Sequence, residues 1–136
     1  MNSNLDKTYF SFSATLRVFG EAVDFEDLEA QLGVKATEKY RKGTIRRPSS
    51  QPATHDMWVY KAPVAEQQQL SEHIDVLWET VKHAKSFLIK LKKDCSVDVF
   101  LGYRSSSDTA GFEVPYQSLE IFRELEIPFG VSVIIT

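Results

Sequence analysis

One cysteine, Cys95, stands alone in 136 residues, so no disulfide can form within the chain and nothing in its cysteine usage asks for an oxidising compartment. No apolar stretch approaches the roughly 20 residues a membrane-spanning helix requires, and no lipidation signature is present. The opening MNSNLDKTYF lacks a basic segment followed by a long apolar run, so no signal peptide is expected. These absences place the chain in the cytoplasm and away from membranes. There is also no glycine-rich phosphate loop ending in Lys and Ser or Thr, no nucleophile elbow and no paired-histidine zinc helix. His73 and His83 lie ten residues apart, roughly 15 Å along a helix, too far to share one metal ion. They are expected to be partly exposed helix residues.

Few residues are thus set aside for chemistry, and most of the chain is set aside for folding. With 43% hydrophobic and 12% aromatic residues, it suits one globular domain over residues 1–136. A chain of this length buries roughly two-thirds of the surface its unfolded state exposes.

Phe10, Phe12, Ala14, Leu16 and Val18 alternate with Tyr9, Ser11, Ser13, Thr15 and Arg17, the period of a half-buried strand. Asp24 is placed to cap a short helix, with Val23 and Leu28 as its hydrophobic staple, Phe25, Leu28 and Leu32 as its buried face, and Gly33 at its left-handed end. Residues 36–46 predict a polar edge strand, and Pro48 stops it. The loop PSSQPAT follows, then a third strand from Met57 to Tyr60 that pairs with the second as an irregular hairpin. Leu70, Ile74, Leu77, Trp78, Val81, Ala84, Leu88 and Leu91 recur at intervals of three and four, predicting one long helix within residues 64–93. Val97, Val99, Leu101 and Tyr103, with Phe100 opposite, predict a strand covered on both faces. Gly111 to Val114 predicts a short strand, Pro115 the first position of a final helix buried through Leu119, Phe122 and Leu125, and Val131 to Ile135 a last strand. The order βαββαββαβ implies an α+β fold in two layers: a mixed, mostly antiparallel sheet with helices mainly on one face, ferredoxin-like in topology with additions.

Charge is small in sum, −3, but segregated. Residues 21–31 hold Glu21, Asp24, Glu26, Asp27 and Glu29 with no Lys or Arg, and residues 35–47 hold Lys35, Lys39, Arg41, Lys42, Arg46 and Arg47 against Glu38 alone. Arginine grips phosphate or carboxylate through two parallel hydrogen bonds, and an aromatic neighbour can stack on a base or on the guanidinium. Tyr40, Arg41, Lys42, Arg46, Arg47 and Trp58 are therefore the candidate ligand- or partner-binding residues. The competing reading pairs these cations with Glu21, Glu26 or Glu29 of the preceding helix and makes Trp58 a core residue. Asp56 or Thr54 is expected to cap a turn, and Cys95, without a positioned base, to be a packing residue.

The stretches LRVFG (Leu16 to Gly20), LGVKAT (Leu32 to Thr37), YRKG (Tyr40 to Gly43), Trp58, VDVFLGY (Val97 to Tyr103) and GF (Gly111, Phe112) occur in that order. Together they resemble the bacterial family catalogued as domain of unknown function 4279, over about Phe12 to Ile135. The resemblance implies a small, usually single-domain bacterial protein with no established activity, and so no catalytic residues to transfer. The family's recurring positions would fall on Gly20, Thr37, Arg41, Lys42, Gly43, Trp58 and Gly102.

Together these features give a non-catalytic binding or protein-interaction module, of the kind immunity proteins represent, with a protein partner and no cofactor or metal. Two oppositely charged patches suit electrostatically steered association. One alternative is an anion- or nucleic-acid-binding domain using Lys39 to Arg47. Another is an enzyme whose site assembles from distant residues around Asp98, Tyr103 and Arg104. The final strand could lie inside the sheet or offer its edge to a second copy, so the sequence leaves homo-oligomerisation open.

Overall fold

The computed structural model describes residues 9–136. The N-terminal residues 1–8, where no signal peptide is expected, lie outside them. Strand β1 (Phe10–Gly20) leads through helix α1 (Phe25–Leu32) to strands β2 (Glu38–Tyr40) and β3 (Asp56–Lys61). Helices α2 (Leu70–Val81) and α3 (Lys85–Leu91) follow, then strand β4 (Ser96–Ser105), helix α4 (Glu120–Glu124) and strand β5 (Val131–Ile135). One five-stranded sheet has the order β2-β3-β1-β4-β5. All neighbours are antiparallel except β4 and β5, which run parallel. The fold is α+β, as the patterning implies.

The expected order loses one strand. Gly111 to Val114 forms no ladder; its Phe112 instead packs edge-on against the stacked rings of Phe12 and Tyr103. Counting α2 and α3 as one interrupted helix, the order becomes βαββαβαβ. The interruption is a single 3-10 turn at Lys82–Ala84. Ala84, the buried residue of this turn, keeps its place in the apolar stripe. Strand β2 keeps only three of the residues expected of it, and it does lie at the sheet edge. Pro115 precedes a 3-10 turn, Tyr116–Leu119, rather than opening α4 directly.

The capping of α1 follows from its sequence. Asp24 accepts a hydrogen bond from Asp27 N at 3.1 Å, Val23 and Leu28 are buried together, and Gly33 takes φ 76° while its N–H reaches Glu29 O.

All four helices bury their apolar residues in one cluster with Phe12, Ala14, Leu16 and Val18 of β1, Trp58 of β3 and Val97, Val99, Leu101 and Tyr103 of β4. The other face of the sheet has no such cover. Phe100, expected to be covered, is 37% exposed there, because every helix packs against the opposite face.

Candidate functional site

The basic segment is folded back on the protein. Asp56, at the start of β3, is 4% exposed and accepts three hydrogen bonds: from Val23 N at 3.1 Å, from Lys42 N at 2.8 Å and from the Arg41 guanidinium at 2.7 Å. Arg41 also donates to Val23 O at 2.7 Å and lies 3.8 Å above the Phe25 ring. The N–H groups of Lys42 and Val23, with Arg41, hold the Asp56 carboxyl below its ordinary range. One carboxylate thus joins the start of β3, the entry to α1 and the loop after β2.

A second anchor lies next to it. Glu29 Oε2 accepts from Ala36 N at 2.9 Å, Trp58 Nε1 at 3.2 Å and Lys39 Nζ at 3.2 Å. The Ala36 N–H, and then Trp58 and Lys39, lower its pKa. Lys42 pairs with Glu21 at 3.2 Å, and Arg46 forks both oxygens of Glu38 while stacking 4.6 Å over Tyr40.

The six candidate residues are therefore divided: Tyr40, Arg46 and Arg47 share one cleft, and Arg41, Lys42 and Trp58 lie apart from it. Arg41 is tied to buried Asp56, while Lys42 with Glu21 and Arg46 with Glu38 form exposed surface pairs. Trp58 is fully buried on the helical face, so no external base can stack on it. Arg47 makes no ion pair among the described residues. It joins Tyr40, Arg46, Ser50, Thr54 and His55 around a shallow cleft of about 230 Å³.

A different constellation occupies the uncovered face of the sheet. The register sets Arg17 of β1 opposite Asp98 of β4. Arg17 Nε and Nη2 donate to Asp98 Oδ1 and Oδ2, both at 2.8 Å, a planar fork. That bond, opposed by desolvation, raises the pKa of Arg17. The guanidinium lies 5.1 Å from the centre of the Phe100 ring and 5.9 Å from that of Phe19, both on the same face. His55 rests 5.1 Å from Phe19, extending the row toward the loop.

On the other side of Phe100 the register brings Ser13 of β1, Gly102 of β4 and Ser132 of β5 into one short-chained row, and Ser11, Arg104 and Ile134 into the next. A side chain at Gly102 would begin 2.7 Å from Ser13 Oγ. The missing bulk leaves a depression of about 400 Å³ walled by Phe100, Arg104, Lys61 and Glu66.

Sequence reasoning passed over Arg17, Phe19 and Phe100 because each is an unremarkable member of an alternating strand. Only the pairing of β1 with β4, distant in sequence, brings them together. Asp98 and Arg104 do lie on this face, but strand alternation puts Tyr103 on the opposite one, 6% exposed and stacked on Phe12, so that trio does not converge. His73, expected to be partly exposed, is fully buried, and neither ring nitrogen has a hydrogen-bond partner. Cys95 is buried, and desolvation and the nearby Asp94 and Asp56 charges raise its pKa, which suits packing rather than reactivity. Among the described residues no three His, Cys, Asp or Glu side chains are grouped to hold a metal, and no helix is long and apolar enough to cross a membrane.

The model of the family described as Domain of unknown function (DUF4279) matches residues 7–135. No curated protein and no solved structure matches the chain.

Proposed function

The chain belongs to the family described as domain of unknown function DUF4279, and from that premise we propose that it is a non-catalytic module of the bacterial cytoplasm that binds another protein, in the manner of an immunity protein, through the uncovered face of its sheet. The observation that carries this reading is the Arg17–Asp98 fork set between Phe19 and Phe100. Arginine and aromatic residues dominate the energetics of protein interfaces, and an arginine whose rotamer is already fixed loses little entropy on binding. Phe100 is 37% exposed on this face beside the Arg17 guanidinium, an aromatic anchor that a partner's pocket would enclose.

The test is affinity capture from native lysate with the wild-type chain, Phe100→Asp and Arg47→Glu side by side. A protein retained by the wild type and by Arg47→Glu, and lost with Phe100→Asp, is the expected result. Capture that survives Phe100→Asp, or no partner for the wild type at low and physiological salt alike, sinks the proposal.

The anion- or nucleic-acid-binding alternative keeps one supporting feature, the cleft beside Arg47. Its signature is oligonucleotide binding that weakens steeply with salt and disappears in Arg47→Glu. Binding that ignores salt, or persists in that variant, removes it.

A further inference from the structure

The two edges of the sheet are defended unequally. Edge strand β2 is three residues long, carries Glu38 and Lys39, and is followed by a loop that closes on itself through Gly43 N to Ala53 O and Ala53 N to Thr44 O, both at 2.8 Å. Short length, charge and a covering loop are the usual protections against pairing with another chain. Edge strand β5, Val-Ser-Val-Ile-Ile, has none of them. It carries no charge and no proline, four of its five residues are β-branched, and Val133, Ile134 and Ile135 are 51%, 43% and 52% exposed.

Its backbone is also directional. Thr136 N donates to Ser105 O at 2.9 Å, so alternation along the extended strand turns the groups of Ser132 and Ile134 toward β4 and those of Val131, Val133 and Ile135 outward. The register with Leu101 and Tyr103 puts the side chains of these outward residues on the helical side of the sheet. No helix reaches far enough to cover Val133 or Ile135.

We propose that β5 pairs antiparallel with β5 of a second copy of this chain, across a two-fold axis at Val133, making one continuous sheet. Under that symmetry Val133 meets its own copy and Val131 meets Ile135, each pair exchanging both backbone hydrogen bonds. The occupant follows from self-complementarity. A two-fold axis sets every residue against a residue of the same strand, and a strand without charge meets no like charge there. The β-branched pairs Val133 with Val133 and Val131 with Ile135 cover each other on the helical side of the sheet, at the margin no helix reaches. The seam is only about 17 Å long, short for an interface when specific ones bury roughly 1,200 Å² or more. A weak, reversible dimer is therefore expected. It uses the edge, not the Phe100 face, so each proposal can fail without the other.

Sedimentation equilibrium of the 136-residue chain from micromolar to millimolar concentration, with hydrogen exchange at both ends of that range, tests this. The wild type should pass from monomer to dimer, with the Val133 and Ile135 amides gaining protection as it does. Val133→Lys places two ammonium groups at the axis and should weaken the dimer at least about tenfold while leaving circular dichroism and Tm unchanged. Ile135→Lys, off the axis, should act in the same direction. A chain monomeric throughout, a dimer indifferent to both lysines, or edge amides protected only when another protein is added would each overturn the proposal.

Discussion

Replacing Asp56 by alanine probes the joint that holds the basic loop. The change removes an acceptor shared by two backbone N–H groups and one guanidinium. Val23 is 3% exposed, so its N–H is stranded away from water, at about 1–3 kcal/mol. Lys42 N–H lies in an exposed loop where water can replace the carboxylate, and that loss is about 1 kcal/mol. The Arg41 side chain is 56% exposed, still reaches Val23 O and still rests on Phe25, so freeing it costs under about 1 kcal/mol. The sum is about 3 kcal/mol, a large share of a typical 5–15.

Urea unfolding should show the midpoint falling with an unchanged slope, and Tm should drop by about 10 °C. Arg41→Ala should cost less than half as much, because the buried N–H keeps its carboxylate. Asp56 also predicts an acid dependence. Its carboxyl titrates below its ordinary 3.8 when folded. The unfolded chain therefore takes up the proton first, so this contribution is complete above that value and is lost as pH falls through the lower, folded one. Asp56→Asn should remove that part of the acid slope. An Asp56→Ala protein within about 1 kcal/mol of wild type, or an Arg41→Ala protein as unstable as Asp56→Ala, would refute the reasoning.

Three further outcomes are expected. Burial pushes the His73 imidazole below its ordinary 6.5, and the nearby backbone of Gln68 and Ala65 opposes this without hydrogen-bonding either ring nitrogen. The unfolded state then binds the proton first, so stability should fall as pH drops below 6.5, by at most about 1.4 kcal/mol per pH unit. His73→Leu should flatten that slope with no loss at neutral pH, as followed by urea midpoints across pH. Trp58→Phe should cost about 2–3 kcal/mol through lost packing and the lost bond to Glu29, measured by denaturant titration. Gly33→Ala should cost about 1–2 kcal/mol of thermal stability because a methyl group is strained at φ 76°, although nothing stands within 4 Å of it.

Local periodicity carried most of the fold into the sequence. The alternation of β1, the cap at Asp24, the left-handed glycine after α1 and the polar character of β2 each express a preference of neighbouring residues, so each was visible in one stretch. The break between α2 and α3 was not, because Lys82, His83 and Ala84 are all compatible with a continuous helix. Gly111 to Val114 carries the pattern of a strand and lacks a ladder partner, which no local signal records. The charge segregation was legible and its outcome was not. The competing acids proved to be Glu21, Glu29, Glu38 and Asp56, of which Glu21 and Glu29 belong to the acidic stretch before β2 and Glu26 takes no part among the described residues. The Arg17–Phe100 cluster could be found only by pairing strands at opposite ends of the chain.

Strand β1 pairs from Phe10 to Phe19 with β4, and Tyr9 and Ser106, hydrogen-bonded beside that ladder, are 97 residues apart. During synthesis β1 leaves the ribosome first and its partner nearly last. At 5–20 residues per second, the apolar edge of Phe10 to Val18 waits roughly 5–20 s for β4. Until then only its second half, Thr15 to Gly20, has a partner, strand β3, and closing the loop to β4 adds the entropic cost typical of distant strand pairing.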